Sequence, residues 1–412
     1  MGETLPQVKI ARKYIEKGGE VVFFSHGGKF EHLAKEIGCE VIKLKDLAWR
    51  DAMARVDILK IPVEKRHFMV YNKKTIGLLV ESEIEAFKKT GVDLVFSSFN
   101  PTSSISARVL NIPLVVLISG TFISPYFQQG FATFPDNYEN IVTKIMPTSI
   151  KKWIVRWFLL NNKMLVRDFN KVGKKYGIKP FRNINDILLG DHTLVCDDIN
   201  FIGLKPTKEF PLENYTGPIF QLDLYQEQEK EIEDKIRKHL KRPGKSLFMS
   251  MGSSVGGKIF LKILKTLNQT DYNVIAICAN IRETEKLPKM NEKILLLQYV
   301  RSAFMVNKLV DLAIIHGGRG TVYSAAYSGK PVIGIPMYVE QQYNIDTLVR
   351  NGCAIRLSWR YFKPRELVRS INKIFDNYDT YLKNSKKLSE KLQKEDGAEK
   401  AVKRLMEIIQ MK

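Results

Sequence analysis

The chain has 412 residues, 44% hydrophobic and 26% charged, with 65 Lys and Arg against 44 Asp and Glu, a formal net charge of +21. This is an ordinary globular composition of a length that suggests two or three domains, with enough apolar material for real cores. No run approaches the roughly 18 apolar residues that span a bilayer, which excludes a transmembrane helix. The N-terminus is polar and then helical and reads as lacking a signal peptide, so a cytoplasmic protein is expected. The positive excess favours an anionic partner such as a nucleotide, an acidic lipid surface or nucleic acid, or else is a general surface bias. Cys39, Cys196, Cys278 and Cys353 lie far apart without CxxC spacing and read as small buried hydrophobes.

In chain order, the spacing predicts a helix over Val8 to Glu16, a strand over Glu20 to Ser25 and a helix over Lys29 to Ile37. A strand over Glu40 to Leu44, a helix over Ile76 to Lys89 and a strand over Val92 to Ser97 follow. A helix over Ser103 to Leu110 and a buried strand over Ile112 to Ser119 complete a doubly wound parallel pattern. Ser119 to Tyr138 reads as a loop carrying Phe122, Tyr126, Phe127, Phe131, Phe134 and Tyr138, either an apolar acceptor site or local packing. Ser149 to Tyr176 reads as helical, with Trp153, Trp157 and Phe158 among Lys151, Lys152, Arg156 and Arg167. That composition suits an interfacial helix on anionic lipid, or a core-facing amphipathic helix with a solvated basic side.

Glu227 to Lys241 reads as an exposed helix, and a new unit opens with a strand at Ser246 to Met251. A Gly/Ser loop, Gly252-Ser253-Ser254-Val255-Gly256-Gly257, leads into a helix over Lys258 to Leu267. Strands are expected over Asn273 to Ala279 and Lys293 to Val300. The stretch Asp311 to Leu357 then gives strand, His316-Gly317-Gly318-Arg319-Gly320-Thr321 turn, helix, strand, helix and strand, with Gly329 ending the first helix. Glycines in such a turn let backbone approach a ligand, and the helix that follows offers unpaired N–H groups and a positive dipole end, a geometry that binds phosphate. His316 and Thr321 can donate to the same oxygens, and Glu340 and Gln341 leave the next strand at the carboxyl edge, where an acceptor pair suits sugar hydroxyls. Alternatively the glycines are ordinary turn residues. Tyr378 to Ile409 reads as one or two helices broken near Gly397. No DxD pair or His/Cys cluster is visible, so no metal site is expected.

The Asp311–Leu357 stretch resembles the donor-binding motif of GT-B UDP-sugar-dependent glycosyltransferases, which include macrolide, plant secondary-product and UDP-glucuronosyltransferase-like enzymes. The matching residues are His316, Gly317, Gly318, Gly320, Thr321, Gly329, Pro331, Pro336, Glu340, Gln341, Asn344 and Gly352. The resemblance implies an α/β fold of two Rossmann-like doubly wound domains facing across a cleft, with the first N-terminal strand missing here. It implies an acceptor domain over residues 1–218, a nucleotide-sugar domain over 219–395, and a helix over 396–412 packing back on the first. It also implies that His316 and Thr321 contact the donor diphosphate, Glu340 and Gln341 the sugar, Gly252, Ser253 and Ser254 the diphosphate, and the Val300 backbone the base. Ser324 stands where the family carries a ribose-binding Glu. The family's catalytic His falls at Glu3, and the Asp that orients it at about Ser97.

The resulting expectation is a metal-independent, inverting hexosyltransferase. It would move sugar from a nucleotide sugar, as co-substrate and with no further cofactor, to an acceptor hydroxyl, with a lipid or other apolar acceptor and a peripheral place at the inner face of the membrane. Glu3 is the first candidate for the general base and His26 the second. The alternatives are a partner-dependent nucleotide-sugar-binding subunit and, third, a UDP-sugar epimerase. No nucleic-acid recognition module is visible.

Overall fold

The computed structural model describes residues 4–27, 30–45, 71–219, 227–252, 257–278, 287 and 289–410. Glu3, Gly28, Ser253 and Ser254 lie outside them. The chain divides into two compact units. One comprises Met1–Thr133, Met146–Ile219 and Asp396–Lys412, and the other Phe134–Ile145 and Phe220–Glu395.

In the first unit, β1 (Val22–Ser25) pairs in parallel with β2 (Glu40–Lys43), and β3 (Val95–Ser97), β4 (Leu114–Ile118) and β5 (His192–Val195) form a second parallel sheet in that order. The expected single wound sheet is thus two sheets among the described residues. β5 was not anticipated, because His192-Thr193 opens it with polar groups, and only its pairing to β4 reveals it. Helix α1 (Thr4–Glu16) contributes Ile10 to a core with Val115, Leu117 and Leu194. The helix Gly397–Gln410 closes that core with Ala398, Ala401, Val402 and Leu405. Lys13 reaches Asp396 at 3.2 Å and Glu399 at 3.3 Å. Against the desolvation that raises it, Asp396 is held below its usual range by the Glu399 backbone N–H and then Lys13, and Glu399 is lowered first by Lys17 and then by Lys13.

Helix α2 (Lys73–Thr90) begins at an Asn72 cap, whose side chain accepts from Thr75 N–H at 3.0 Å, and ends at Gly91 in the left-handed region. Its buried stripe is Ile76, Leu79, Val80, Glu83 and Phe87, so a carboxylate sits among the core positions. Glu83 is 0% exposed. It accepts from Thr102 Oγ1 at 2.5 Å, Asn100 Nδ2 at 3.0 Å and Ser106 Oγ at 2.5 Å, tying α2 to the start of α3 (Ser103–Val109). Glu83→Ala is expected to cost about 3–5 kcal/mol of stability by stranding these donors in the interior. Urea unfolding would measure it, and a loss below about 1 kcal/mol would contradict this reading of the cluster.

The second unit has one six-stranded parallel sheet. Its strands are β6 (Ser246–Ser250), β7 (Asn273–Ile277), β8 (Ile294–Leu297), β9 (Leu312–Ile315), β10 (Val332–Gly334) and β11 (Ala354–Arg356), ordered β11-β10-β9-β6-β7-β8. The order follows the sequence of a right-handed winding that starts in the middle, runs outward one way, and returns to run outward the other. The reversal falls between β6 and β9, the switch point at which ligands bind beyond the carboxyl ends of such strands. Apolar layers cover both faces: Phe260, Leu264, Leu367 and Ile371 on one, Ile236, Met305 and Val306 on the other. This is why the strands read as continuous Val/Ile/Leu runs.

Candidate functional site

At the switch point, β9 delivers His316 and β6 delivers Met251 and Gly252 to the same edge. Gly318 caps helix α4 (Arg319–Tyr327), and Tyr338 precedes helix α5 (Val339–Arg350), so two helix N-termini stand at this edge. His316 is 6% exposed, and burial holds its imidazole down to about 4, partly offset by the Ser250 backbone. It is therefore neutral at ordinary pH. Its Nδ1 has no hydrogen-bond partner at ordinary geometry.

The glycines divide by cause. A Cβ at Gly318 would lie 2.4 Å from His316 Nε2, and one at Gly252 would lie 2.3 Å from its Cε1, so the ring is seated between these two residues. Gly317 has φ +91°, and a Cβ there would fall 2.5 Å from the Gln341 carbonyl oxygen. Gly252, Gly317 and Gly318 are thus required by the protein's own packing, whether or not a ligand also approaches them. Gly320 differs. It is exposed at the first turn of α4, and an added Cβ would meet nothing within 4 Å. The first turn of a helix has no intrahelical acceptors for its amides, so backbone donors are presented there.

The remaining predicted residues lie as follows. Thr321 is in the same turn, but its Oγ1 donates to the Gly318 carbonyl at 2.8 Å. Gln341 is buried and its Oε1 accepts from Met337 N–H at 2.9 Å, while Asn344 Nδ2 donates to Gly317 O at 3.1 Å. Glu340 is half-buried in the first turn of α5. The Val300 side chain is buried with Ile236 and Leu297, beyond the end of β8. Ser324 is 2% exposed, and its Oγ accepts from Asn307 Nδ2 at 2.9 Å. It belongs to an internal pair with the helix Ala303–Leu309 rather than to the turn. His316, Gly252, Gly317, Gly318, Thr321 and Gln341 are brought together, while the Ser324 hydroxyl is engaged by Asn307 and the Val300 side chain by the core.

Three features escaped sequence reasoning. Asn307 is one; its Oδ1 is buried without a partner. The second is residues 134–145, which belong to the second unit and hold the start of α5. Gln342 accepts from Asp136 N–H at 2.9 Å and donates to Phe134 O at 2.9 Å, Asn137 Nδ2 donates to Met337 O at 2.9 Å, and Arg356 bridges Asp136 at 2.7 Å and Asp346 at 2.8 Å. These bonds fix the start of α5, the turn that presents Glu340 and Gln341. The third is Glu83, whose signal was a carboxylate inside an apolar helical stripe.

In the first unit, His26 follows β1, with Nε2 3.3 Å from Glu83 Oε1 and Nδ1 3.1 Å from Lys45 O. Both ring nitrogens face acceptors. Phe99, at φ +52°, is half-exposed after β3 and meets Phe122 at 5.6 Å, an apolar pair at the carboxyl edge of that sheet. Tyr126 and Phe127 are buried and Tyr126 packs on Phe131 at 5.9 Å, so that part of the aromatic loop is local core. Among the described residues no group of three or more His, Cys, Asp or Glu could hold a metal ion.

Residues 250–405 match the model of the glycosyltransferase family 28 C-terminal domain. That span is 156 of the chain's 412 residues. It contains every element of the site built around His316. Over 319 residues the chain is 24% identical to a PGL/p-HBAD biosynthesis rhamnosyltransferase of Mycobacterium bovis (strain BCG / Pasteur 1173P2), covering 74% of this chain and 65% of the relative. The match thus spans just under two thirds of that relative's length. A segment of 76 residues is 36% identical to UDP-glucuronosyltransferase 2B15 of Rattus norvegicus, 18% of this chain and 14% of that protein. The calicheamicin glycosyltransferase CalG4 superposes with a TM-score of 0.69 at 16% identity, covering 98% of this chain and 94% of that one. This is a likeness of fold: GT-B, with two Rossmann-like domains, the second of which holds the span that the family 28 model matches.

Proposed function

We propose that the protein is a glycosyltransferase that moves a hexosyl group from a nucleoside diphosphate sugar to an acceptor hydroxyl, by a metal-independent inverting route. The second unit binds the donor, with its diphosphate over the first turn of α4 and beside His316, and its sugar near Glu340 and Gln341. The observation that carries the reading is a buried, neutral imidazole at the switch point of a parallel sheet, beside a helix N-terminus whose exposed glycine the protein itself does not need. Such fixed donors and dipoles stabilise the negative charge that develops on a departing diphosphate. The UDP-named relative supports uridine as the base, and the rhamnosyltransferase name places a deoxyhexose among the sugars to test. The acceptor is a lipid or other apolar molecule bound by the first unit, where Phe99 and Phe122 offer an apolar edge, and the protein meets it at an anionic membrane surface on the cytoplasmic side.

A thermal-shift screen with UDP, TDP and their sugars tests the donor half. At a hundredfold excess over Kd the second unit gains about 2.7 kcal/mol, a rise of several degrees in melting temperature. Indifference to every nucleoside diphosphate would overturn the reading. One observation favours a second reading, a partner-dependent nucleotide-sugar-binding subunit: Ser324 is spent on Asn307, and no carboxylate stands in its place to hold a ribose. UDP binding without UDP release on any acceptor, restored by an added partner, would select it.

A further inference from the structure

Between Asn140 and Arg167 the sequence has Lys144, Lys151, Lys152, Arg156, Lys163 and Arg167 and no Asp or Glu. The helix Thr148–Asn161 within this stretch is inverted with respect to ordinary amphipathicity. It buries Val155, while Ile150, Trp153 and Trp157, at helical spacing i, i+3 and i+7, are 45%, 61% and 54% exposed. Phe158 and, after the helix, Met164 are also exposed. Its neighbour in sequence, the short helix Ile141–Ile145, exposes Ile141 and Ile145 by more than four fifths. Single exposed apolar residues need no explanation, but a concentration of this kind costs solvation that some partner must offset.

We propose that the outward stripe Ile150–Trp153–Trp157 is the surface by which the protein docks on a membrane of anionic lipid. Charge selects the occupant. The stripe is flanked by exposed Arg156, Lys163 and Arg167 with no acidic side chain before Asp168, which repels basic partners and draws anionic headgroups. Indole rings sit at the headgroup level, with the apolar part below and the N–H in the wet layer, and a helix lying in the interface plane presents such a stripe to the acyl boundary. The 14-residue helix is too short to span, and among the described residues no helix is long and apolar enough to cross a membrane, so the contact is peripheral. The docking face deepens the membrane part of the proposed function and does not depend on the transfer chemistry.

The test is co-sedimentation of the full chain with vesicles of pure phosphatidylcholine and of phosphatidylcholine containing about 30% phosphatidylglycerol, with and without UDP. Binding to the anionic vesicles is expected to be at least about tenfold tighter, to weaken at high salt, and to be unaffected by UDP. Trp153→Ser with Trp157→Ser is expected to abolish it, with far-UV circular dichroism and melting temperature unchanged because both rings are exposed. Arg156→Glu with Lys163→Glu is expected to remove the anionic preference. Equal binding to both vesicles, no binding, or binding untouched by the tryptophan pair would overturn the proposal. So would a concentration-dependent dimer that those substitutions dissolve, since a second copy would then cover the stripe. A failed UDP shift with intact vesicle binding would count against the donor reading alone.

Discussion

His316→Ala is expected to lower turnover about 10²–10³-fold, the range for loss of one fixed donor facing charge that develops in a transition state. The ring is seated between Gly252 and Gly318 and 6% exposed, so it is placed before substrate arrives. It is also neutral, which makes it a hydrogen-bond donor to a phosphoryl oxygen rather than an ion that would grip substrate and product alike. The loss should therefore fall mainly in kcat. A steady-state assay of UDP release separates the outcomes: a kcat within threefold of the parent would remove His316 from the donor site.

The same residue sets a pH dependence of stability. Burial lowers its pKa from 6.5 to about 4 in the folded chain, so between those values the unfolded chain binds the proton more readily. The stabilisation is complete above about pH 6.5 and is lost as pH falls toward 4, with a total of about 3–4 kcal/mol at about 1.4 kcal/mol per unit. His316→Gln should flatten that part of the profile in urea titrations.

What the sequence disclosed followed from local rules. Apolar strand runs and glycine stops located the six strands of the second unit because both faces of that sheet are covered, and the strand–turn–helix around His316 located its carboxyl edge. The cause of the glycines was not visible, because whether a Cβ meets a ligand or the protein's own Gln341 carbonyl is a tertiary fact. The partner of Ser324 was hidden for the same reason: its Oγ accepts from Asn307, seventeen residues earlier, which only the tertiary structure brings to it. Ser149 to Tyr176 read as one helix, yet Asn162-Lys163 breaks it into Thr148–Asn161 and Arg167–Lys175. Periodicity gave the Trp153 stripe but not its side, since a stripe looks the same whether a core or a membrane receives it. That residues 134–145 belong to the second unit carried no signal, as they are held there by backbone groups and by Gln342 and Arg356, more than 200 positions away.

Glu3→Gln is expected to reduce turnover about 10²–10⁴-fold, the usual contribution of a general base, with UDP binding intact. Its standing rests on its position in the sequence, where the resembling family carries its catalytic His; Glu3 itself lies outside the described residues. His26 is engaged on both sides, its Nδ1 3.1 Å from Lys45 O and its Nε2 3.3 Å from Glu83 Oε1, so acting as a base would mean giving up one of these contacts. His26→Gln should accordingly cost about 1–3 kcal/mol of stability through the stranded Glu83 contact and change kcat by less than about tenfold. The pair of variants is decisive when both are read by kcat and by urea unfolding. A rate that survives Glu3→Gln but collapses in a folded His26→Gln would move the base to the His26–Glu83 pair, and would require the ring to leave the Lys45 carbonyl during the reaction.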